Sequence, residues 1–133
     1  MKDQFDEETR KALAYYRLER AQQAMAEAAH NAAAGFYNNA INRLYYACFY
    51  AVIALFVKNK ITTSTHSGAK TMLNLHFVKS GIITREESKT FSTLMESRQS
   101  GDYADFVYLG EDDYQRLYPR AKEFIEKVTA LII

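Results

Sequence analysis

The chain has 133 residues and one cysteine, and 17 lysine and arginine residues against 16 aspartate and glutamate residues leave a formal net charge of +1 at pH 7. This length predicts one domain, residues 1–133, and the small charge excludes a protein that holds nucleic acid by its overall charge, although a local basic patch is compatible with it. The acidic, polar N-terminal residues do not resemble a secretory signal, and the lone Cys48 suits a reducing compartment, so we expect a cytoplasmic protein.

The first half of the chain predicts two long antiparallel helices. The first runs from about Glu7 to Ala34, ends at Gly35 and carries an apolar seam formed by Ala14, Leu18, Ala21, Met25, Ala28 and Ala32. The second runs from about Phe36 to Lys58. Its fourteen consecutive apolar or aromatic residues from Leu44 to Val57 are too few to cross a bilayer and suit a helix buried in a bundle, so we expect no membrane association.

The second half predicts three more helical segments. After a polar loop at 59–65, a third helix fits 66–80, with Gly81 just past its end. Thr84 and Glu87 have the spacing of a capping box, which starts a fourth helix that should fray near Gly101. The last segment keeps one helical phase on both sides of Pro119, which favours a single kinked helix. No segment alternates with period two, so we predict an all-α fold, an up-and-down four-helix bundle with a shorter fifth helical segment.

A polar stripe enters the apolar second helix. Steps of three and four residues from Asn39 lead to Asn42 or Arg43, then to Tyr46 and then to Tyr50. Amide, guanidinium and phenol groups on a largely buried helix need hydrogen-bond partners. Core packing and ligand binding therefore compete for the same residues.

Several motifs, in this order, resemble the HEPN family of prokaryotic and eukaryotic nucleotide-binding helical domains. They are Asn42-Arg43-Leu44-Tyr45-Tyr46-Ala47-Cys48-Phe49, His66-Ser67-Gly68, Phe77-Val78-Lys79-Ser80-Gly81 and Arg98-Gln99-Ser100-Gly101-Asp102-Tyr103. The resemblance covers roughly residues 12–130 and is closest to the small stand-alone prokaryotic members. It implies a helical bundle, usually a homodimer, that is often encoded beside a minimal nucleotidyltransferase as a toxin and antitoxin pair.

The family's active members resemble this chain only in part. They are metal-independent ribonucleases with an arginine followed, after four to six residues, by a histidine, and the two copies meet across the dimer. Here the corresponding positions after Arg98 hold Tyr103, Ala104 and Asp105, and no histidine follows His76. Tyrosine, with an ordinary pKa of about 10, is a poor substitute for histidine at neutral pH. Asp105 also takes the place of the tyrosine that receives a nucleotide in regulated members.

The candidate catalytic residues are Arg98 and Tyr103, and each has a structural alternative. Arg98 is placed to clamp a phosphate with its planar fork of donors, or it forms an ordinary ion pair with Asp102 one turn later. Tyr103 stacks on a base, handles a proton or anchors the end of the helix.

The candidate ligand-binding residues are Asn42, Arg43, Tyr46, His66 and Asp102. Asn42 and Arg43 alternatively bond to a neighbouring helix and to a carboxylate, and Tyr46 is equally a core or interface ring. His66 opens the third helix, where a helix-start role competes with a pocket role.

Three hypotheses for function follow. The first is a binding or regulatory HEPN-like domain that recognises a nucleotide, RNA or another phosphate-bearing ligand and works with a separate nucleotidyltransferase, without full ribonuclease activity. The second is a divergent metal-independent endoribonuclease toxin that uses Arg98. The third is a pure protein-interaction module. We expect no cofactor and no metal, because Glu27 and His30 form only one of the two Glu-x-x-His motifs that a di-iron bundle needs.

Overall fold

The computed structural model describes residues 5–103 and 108–133, with the backbone alone for residue 103. Its helices are α1 (Glu7–Ala33), α2 (Tyr37–Lys58), α3 (His66–Leu73), α4 (Arg85–Tyr103) and α5 (Glu111–Ala130). One π-helical turn, Asn74–Val78, continues α3. The described residues form helices and no strand, which confirms the predicted all-α fold. The shorter helical segment of the bundle is α3 together with the π turn.

The helix boundaries follow local chemistry that the sequence predicted. Gly35 adopts φ +85° just after α1, a left-handed conformation that favours glycine, and Gly81 adopts φ +82° before α4. The predicted capping box is present, since the Thr84 amide donates to Glu87 Oε1 at 2.9 Å and the Glu87 amide donates to Thr84 Oγ1 at 3.1 Å. These contacts start α4 where expected.

The π turn after α3 was not predicted. The Lys79 amide donates to the Asn74 carbonyl at 2.9 Å, which is the wider spacing of a π-helix. The Asn74 side chain accepts a 2.9 Å hydrogen bond from the Ser88 hydroxyl on α4, and Phe77 within the turn stacks near Phe56 at a centroid distance of 6.4 Å. Helix-to-helix contacts of this kind are invisible to local periodicity.

α2 is the central helix of the bundle and packs against α1, α4 and α5. Its length and composition would suffice to cross a membrane, but 61% of its most apolar window is buried within the bundle. Small side chains permit the close approach of α1 and α2, and the buried alanines of the two helices are Ala14, Ala21, Ala24, Ala28, Ala40, Ala47, Ala51 and Ala54. Cys48 is fully buried and packs within this core.

Three rings stack through the centre of the core. The ring of Phe91 on α4 lies 5.6 Å from that of Tyr45 on α2 and 6.0 Å from that of Phe124 on α5, with interplanar angles of 13° and 2°. All three residues are at most 1% exposed. This stack joins three helices.

α4 continues through Gly101 to residue 103, so the expected fraying at Gly101 was wrong. A side chain from α2 explains the continuation. Asn38 donates to the Gly101 carbonyl at 3.3 Å and accepts from the Leu109 amide at 2.8 Å, so one amide holds the end of α4 beside the start of α5. The expected single helix through Pro119 is present as α5.

Candidate functional site

Arg98 occupies a position at which α4 faces the core. Phe91, Leu94 and Met95 form the buried face of this helix, and Arg98 continues that face by one turn. Only 7% of the residue is exposed. Its guanidinium carbon lies 5.0 Å from the ring centroid of Tyr45 and 5.8 Å from that of Tyr46, so two aromatic rings of α2 support the buried cation.

Asp102 connects Arg98 to α2. An Asp102 carboxylate oxygen lies 4.0 Å from Arg98 Nη1, and the same oxygen accepts a 2.8 Å hydrogen bond from Asn42 Nδ2. The ion pair that the sequence offered as the alternative for Arg98 is therefore present, at the long limit of such contacts. The shorter bond to Asn42 is what fixes the carboxylate.

Arg43 joins the same group of side chains from the next position on α2. Its Nε and Nη2 donate to Asn42 Oδ1 at 3.2 and 3.0 Å, and its Nη1 lies 3.3 Å from Glu27 Oε1 on α1. Its guanidinium carbon is 5.0 Å from the Tyr46 ring centroid. Tyr46 is thus in contact with both guanidinium groups.

We call Asn42, Arg43, Tyr46, Arg98 and Asp102 the Arg98 cluster. All five were predicted site residues, and the structure brings them together although Asn42 and Asp102 are 60 residues apart in the chain. The predicted structural alternatives for Asn42 and Arg43 are also realised, since each bonds to another helix. A structural role and a ligand-binding role are compatible for these residues, because the hydrogen bonds that satisfy their polar groups also hold the side chains in place.

His66 is the first residue of α3, as expected, but it does not cap the helix. The cap is Thr65, whose hydroxyl accepts from the Gly68 amide at 2.8 Å. The half-buried His66 ring packs instead on the aromatic residues of α2, 4.5 Å from the Phe49 centroid and 5.8 Å from the Tyr46 centroid. The structure therefore places His66 beside the Arg98 cluster.

A short hydrogen bond to Tyr45 indicates the tautomer of His66. Its Nδ1 lies 2.6 Å from the hydroxyl of Tyr45. Burial raises the pKa of Tyr45, which keeps that hydroxyl protonated, while burial and the nearby Arg98 charge lower the pKa of His66. We assign the hydroxyl as the donor to Nδ1, which leaves the proton of the neutral imidazole on Nε2. In this tautomer Nε2 is a hydrogen-bond donor.

The lowered pKa of His66 predicts a pH-dependent contribution to stability. The unfolded chain, with an ordinary histidine pKa of 6.5, binds the proton more tightly than the folded protein does. The free energy of unfolding should therefore fall as the pH drops below about 6.5. Urea unfolding of the wild type and of His66→Gln between pH 7.5 and pH 5 measures this difference. Equal pH dependence in the two proteins would contradict it, and His76→Gln, at an exposed position, is the control.

Two residues of the sequence motif, Tyr103 and Asp105, cannot be placed relative to the Arg98 cluster. The side chain of Tyr103 and the whole of Asp105 lie outside the described residues. The proposed roles of both residues therefore stay sequence predictions.

Sequence reasoning missed two residues that support the site. Glu27 was considered as half of a metal motif, but it pairs with Arg43. Asn38 was not considered. It lies one turn before Asn42 on α2 and donates to the carbonyl of Gly101, the residue that precedes Asp102. The repeat of asparagine at four-residue spacing was the signal that could have identified it.

Comparison with known proteins identifies the family of this chain. A family model described as the HEPN domain matches residues 14–131. The UPF0332 protein of Thermotoga maritima is 35% identical over 95 residues, which cover 71% of this chain and 72% of that protein.

Two proteins of Methanocaldococcus jannaschii, each named "Putative toxin", are also similar. One is 28% identical over 98 residues, covering 74% of this chain and 67% of that protein. The other is 26% identical over 92 residues, covering 69% of this chain and 68% of that protein. The family model matches residues 14–131, which are most of this chain, and the predicted helical fold is present. The chain therefore belongs to the HEPN family.

Proposed function

We propose that this protein is a toxin-like HEPN domain that binds the phosphate groups of RNA or of a nucleotide at the Arg98 cluster and lacks full ribonuclease activity. The observation that carries the proposal is the placement of two guanidinium groups on one tyrosine ring. Arg43 and Arg98 both lie within 6 Å of the Tyr46 centroid. Guanidinium groups bind phosphate through a planar fork of donors, and the aromatic ring offers a surface for a base.

The neighbouring groups favour binding over cleavage. General acid and base catalysis needs a group that exchanges protons near neutral pH. The raised pKa of Tyr45 keeps its hydroxyl protonated, and His66 uses Nδ1 to accept from that hydroxyl. The remaining Nε2–H of His66 can donate to a phosphate oxygen, but it cannot remove a proton. Within the cluster the carboxylate is that of Asp102, and it already accepts a hydrogen bond from Asn42 and pairs with Arg98, so the arrangement favours holding an anion over removing a proton.

A divergent ribonuclease is the second candidate, and one observation favours it. His66 is close enough to Arg98 for the arginine charge to lower the histidine pKa. A shift of the proton between the two imidazole nitrogens would turn Nε2 into a base beside a phosphate-binding arginine. In this candidate His66 takes the place of the histidine that is missing after Arg98.

The proposal extends to partners. A homodimer would bring two Arg98 clusters into one assembly, and the exposed large apolar residues provide contact area for a second copy or for a separately encoded minimal nucleotidyltransferase. They are Phe5, Tyr15, Tyr16, Phe36, Leu75, Ile82, Tyr108 and Ile133. We propose that these complexes form in the cytoplasm. Light scattering of the purified protein, alone and mixed with the product of a neighbouring nucleotidyltransferase gene, measures both associations.

The test of the proposed function is RNA binding and cleavage in excess EDTA. A labelled single-stranded RNA is titrated with wild type, with Arg43→Ala and with Arg116→Ala. The wild type should bind with an affinity that falls as salt rises, and it should leave most of the RNA intact. Arg43→Ala should weaken binding several-fold and reduce the salt dependence by about one phosphate contact.

Arg116→Ala is the matched control, because Arg116 lies on α5 and pairs with Asp113 at 3.0 Å. It should bind RNA as the wild type does. Absence of binding by the wild type would reject the proposal. Efficient cleavage that disappears in His66→Ala would establish the ribonuclease candidate instead.

A further inference from the structure

A row of alternating arginine and tyrosine side chains continues from the Arg98 cluster. The Tyr46 ring lies 6.1 Å from that of Tyr50, one turn further along α2. The guanidinium carbon of Arg20 on α1 lies 4.9 Å from the Tyr50 centroid, and its Nη2 donates to the Tyr50 hydroxyl at 3.2 Å. Arg20 Nη1 donates to the hydroxyl of Tyr16 at 3.3 Å. We call Tyr16, Arg20 and Tyr50 the Arg20 track.

The helix pairing explains why the row is continuous. Tyr16 and Arg20 are four residues apart on α1, and Tyr46 and Tyr50 are four residues apart on α2, so each pair lies on one side of its helix. The two helices are antiparallel neighbours, and Arg20 reaches from one to the other. The track therefore lies along the α1–α2 pair as an extension of the cluster.

The partners of Arg20 are phenol groups. Both of its hydrogen bonds go to phenol oxygens, and no carboxylate among the described residues pairs with it. Arg43 and Arg116, by contrast, each pair with a carboxylate. The charge of Arg20 is thus held in place by two rings and is not neutralised by an acid, and Tyr16 beside it is 51% exposed.

We propose that the Arg20 track is a second subsite for single-stranded RNA, in which Arg20 binds a backbone phosphate and Tyr16 stacks on a base. The inference rests on the proposed function, and it names a ligand longer than one nucleotide. Cationic groups interleaved with aromatic rings suit single strands, because every base has a stacking face and every linkage has a phosphate. The Tyr50 centroid lies 6.1 Å from that of Tyr46 and 4.9 Å from the Arg20 guanidinium carbon, so a single strand of more than one nucleotide suits contact with both Tyr46 and Arg20.

The dependence of affinity on RNA length tests this subsite. Dissociation constants are measured in EDTA for a one-nucleotide RNA, uridine monophosphate, and for a ten-nucleotide oligouridylate, with wild type, Arg20→Ala, Tyr16→Ala and Arg116→Ala. The wild type and Arg116→Ala should bind the longer RNA more tightly. Arg20→Ala should bind the longer RNA about five- to tenfold more weakly than the wild type, with a salt slope smaller by about one, and bind the shorter RNA within about twofold of the wild type. Tyr16→Ala should weaken binding of the longer RNA without changing the salt slope.

The outcomes separate the inference from the proposed function. If Arg20→Ala binds the longer RNA as the wild type does, the track is not a subsite, while the Arg98 cluster is still an RNA site. If the wild type binds neither RNA, the proposed function fails and the inference fails with it. If Arg20→Ala alters the molar mass of the protein in light scattering and leaves RNA affinity unchanged, the track is a contact between protein chains, and the inference is overturned.

Discussion

Alanine in place of Arg98 is expected to weaken the binding of single-stranded RNA at least about tenfold. The substitution removes the most buried guanidinium of the cluster and leaves the Asp102 carboxylate, which Asn42 still holds, without its cationic neighbour. Charge-assisted bonds to phosphate contribute more than neutral ones, and an unbalanced carboxylate repels the anion. Fluorescence anisotropy in EDTA at two salt concentrations measures the loss.

Two further variants distinguish recognition from folding. Arg98→Lys keeps the charge and loses the planar fork, so it should recover part of the affinity but not all of it. The double variant Arg98→Ala, Asp102→Asn also removes the unbalanced carboxylate. Thermal unfolding shows whether each of these variants is folded. RNA affinity equal to that of the wild type in a folded Arg98→Ala protein would show that this arginine has only a structural role.

Phe91→Ala is expected to cause the largest loss of stability, about 3–5 kcal/mol. The Phe91 ring lies between Tyr45 and Phe124, and its removal leaves a cavity where three helices meet. A domain of this size has about 5–15 kcal/mol of stability, so the loss is a large part of the total. Urea unfolding at pH 7.5 measures it.

The matched control is Phe36→Ala, because Phe36 is 59% exposed beside the N-terminus of α2. Its effect should stay within about 0.5 kcal/mol. A loss below about 1 kcal/mol for Phe91→Ala would mean that the core relaxes around the cavity, and that the aromatic stack is not a principal support of the bundle.

Local signals in the sequence predicted most of the fold. Gly35 and the Thr84–Glu87 capping box marked helix ends because left-handed backbone and reciprocal caps depend on residues close together in the chain. The π turn and the continuation of α4 through Gly101 were missed for the opposite reason. Both involve side chains on another element, namely Ser88 for the turn and Asn38 for the helix end.

The same distinction between local signals and contacts with other helices applies to the site. The identities of Asn42 and Arg43 were predictable because polar side chains on an apolar helix are conspicuous, whereas Arg98 was identified by its place in a motif that resembles the HEPN family. Their partners were not, since the contact of Arg43 with Glu27 depends on the packing of α1 against α2. Local reasoning correctly placed His66 at the start of α3, but it identified neither Thr65 as the cap nor the packing of the His66 ring on α2.

The separation of the cluster residues along the chain also determines when the cluster can form during synthesis. Asn42 leaves the ribosome 60 residues ahead of Asp102, an interval of roughly 3–12 s at typical rates of chain elongation. Until α4 has emerged, the nascent chain has Arg43 and Tyr46 but neither Arg98 nor the carboxylate that orients Asn42. Under the proposed function, the nascent protein therefore lacks the complete RNA-binding cluster until the codons up to Asp102 have been translated.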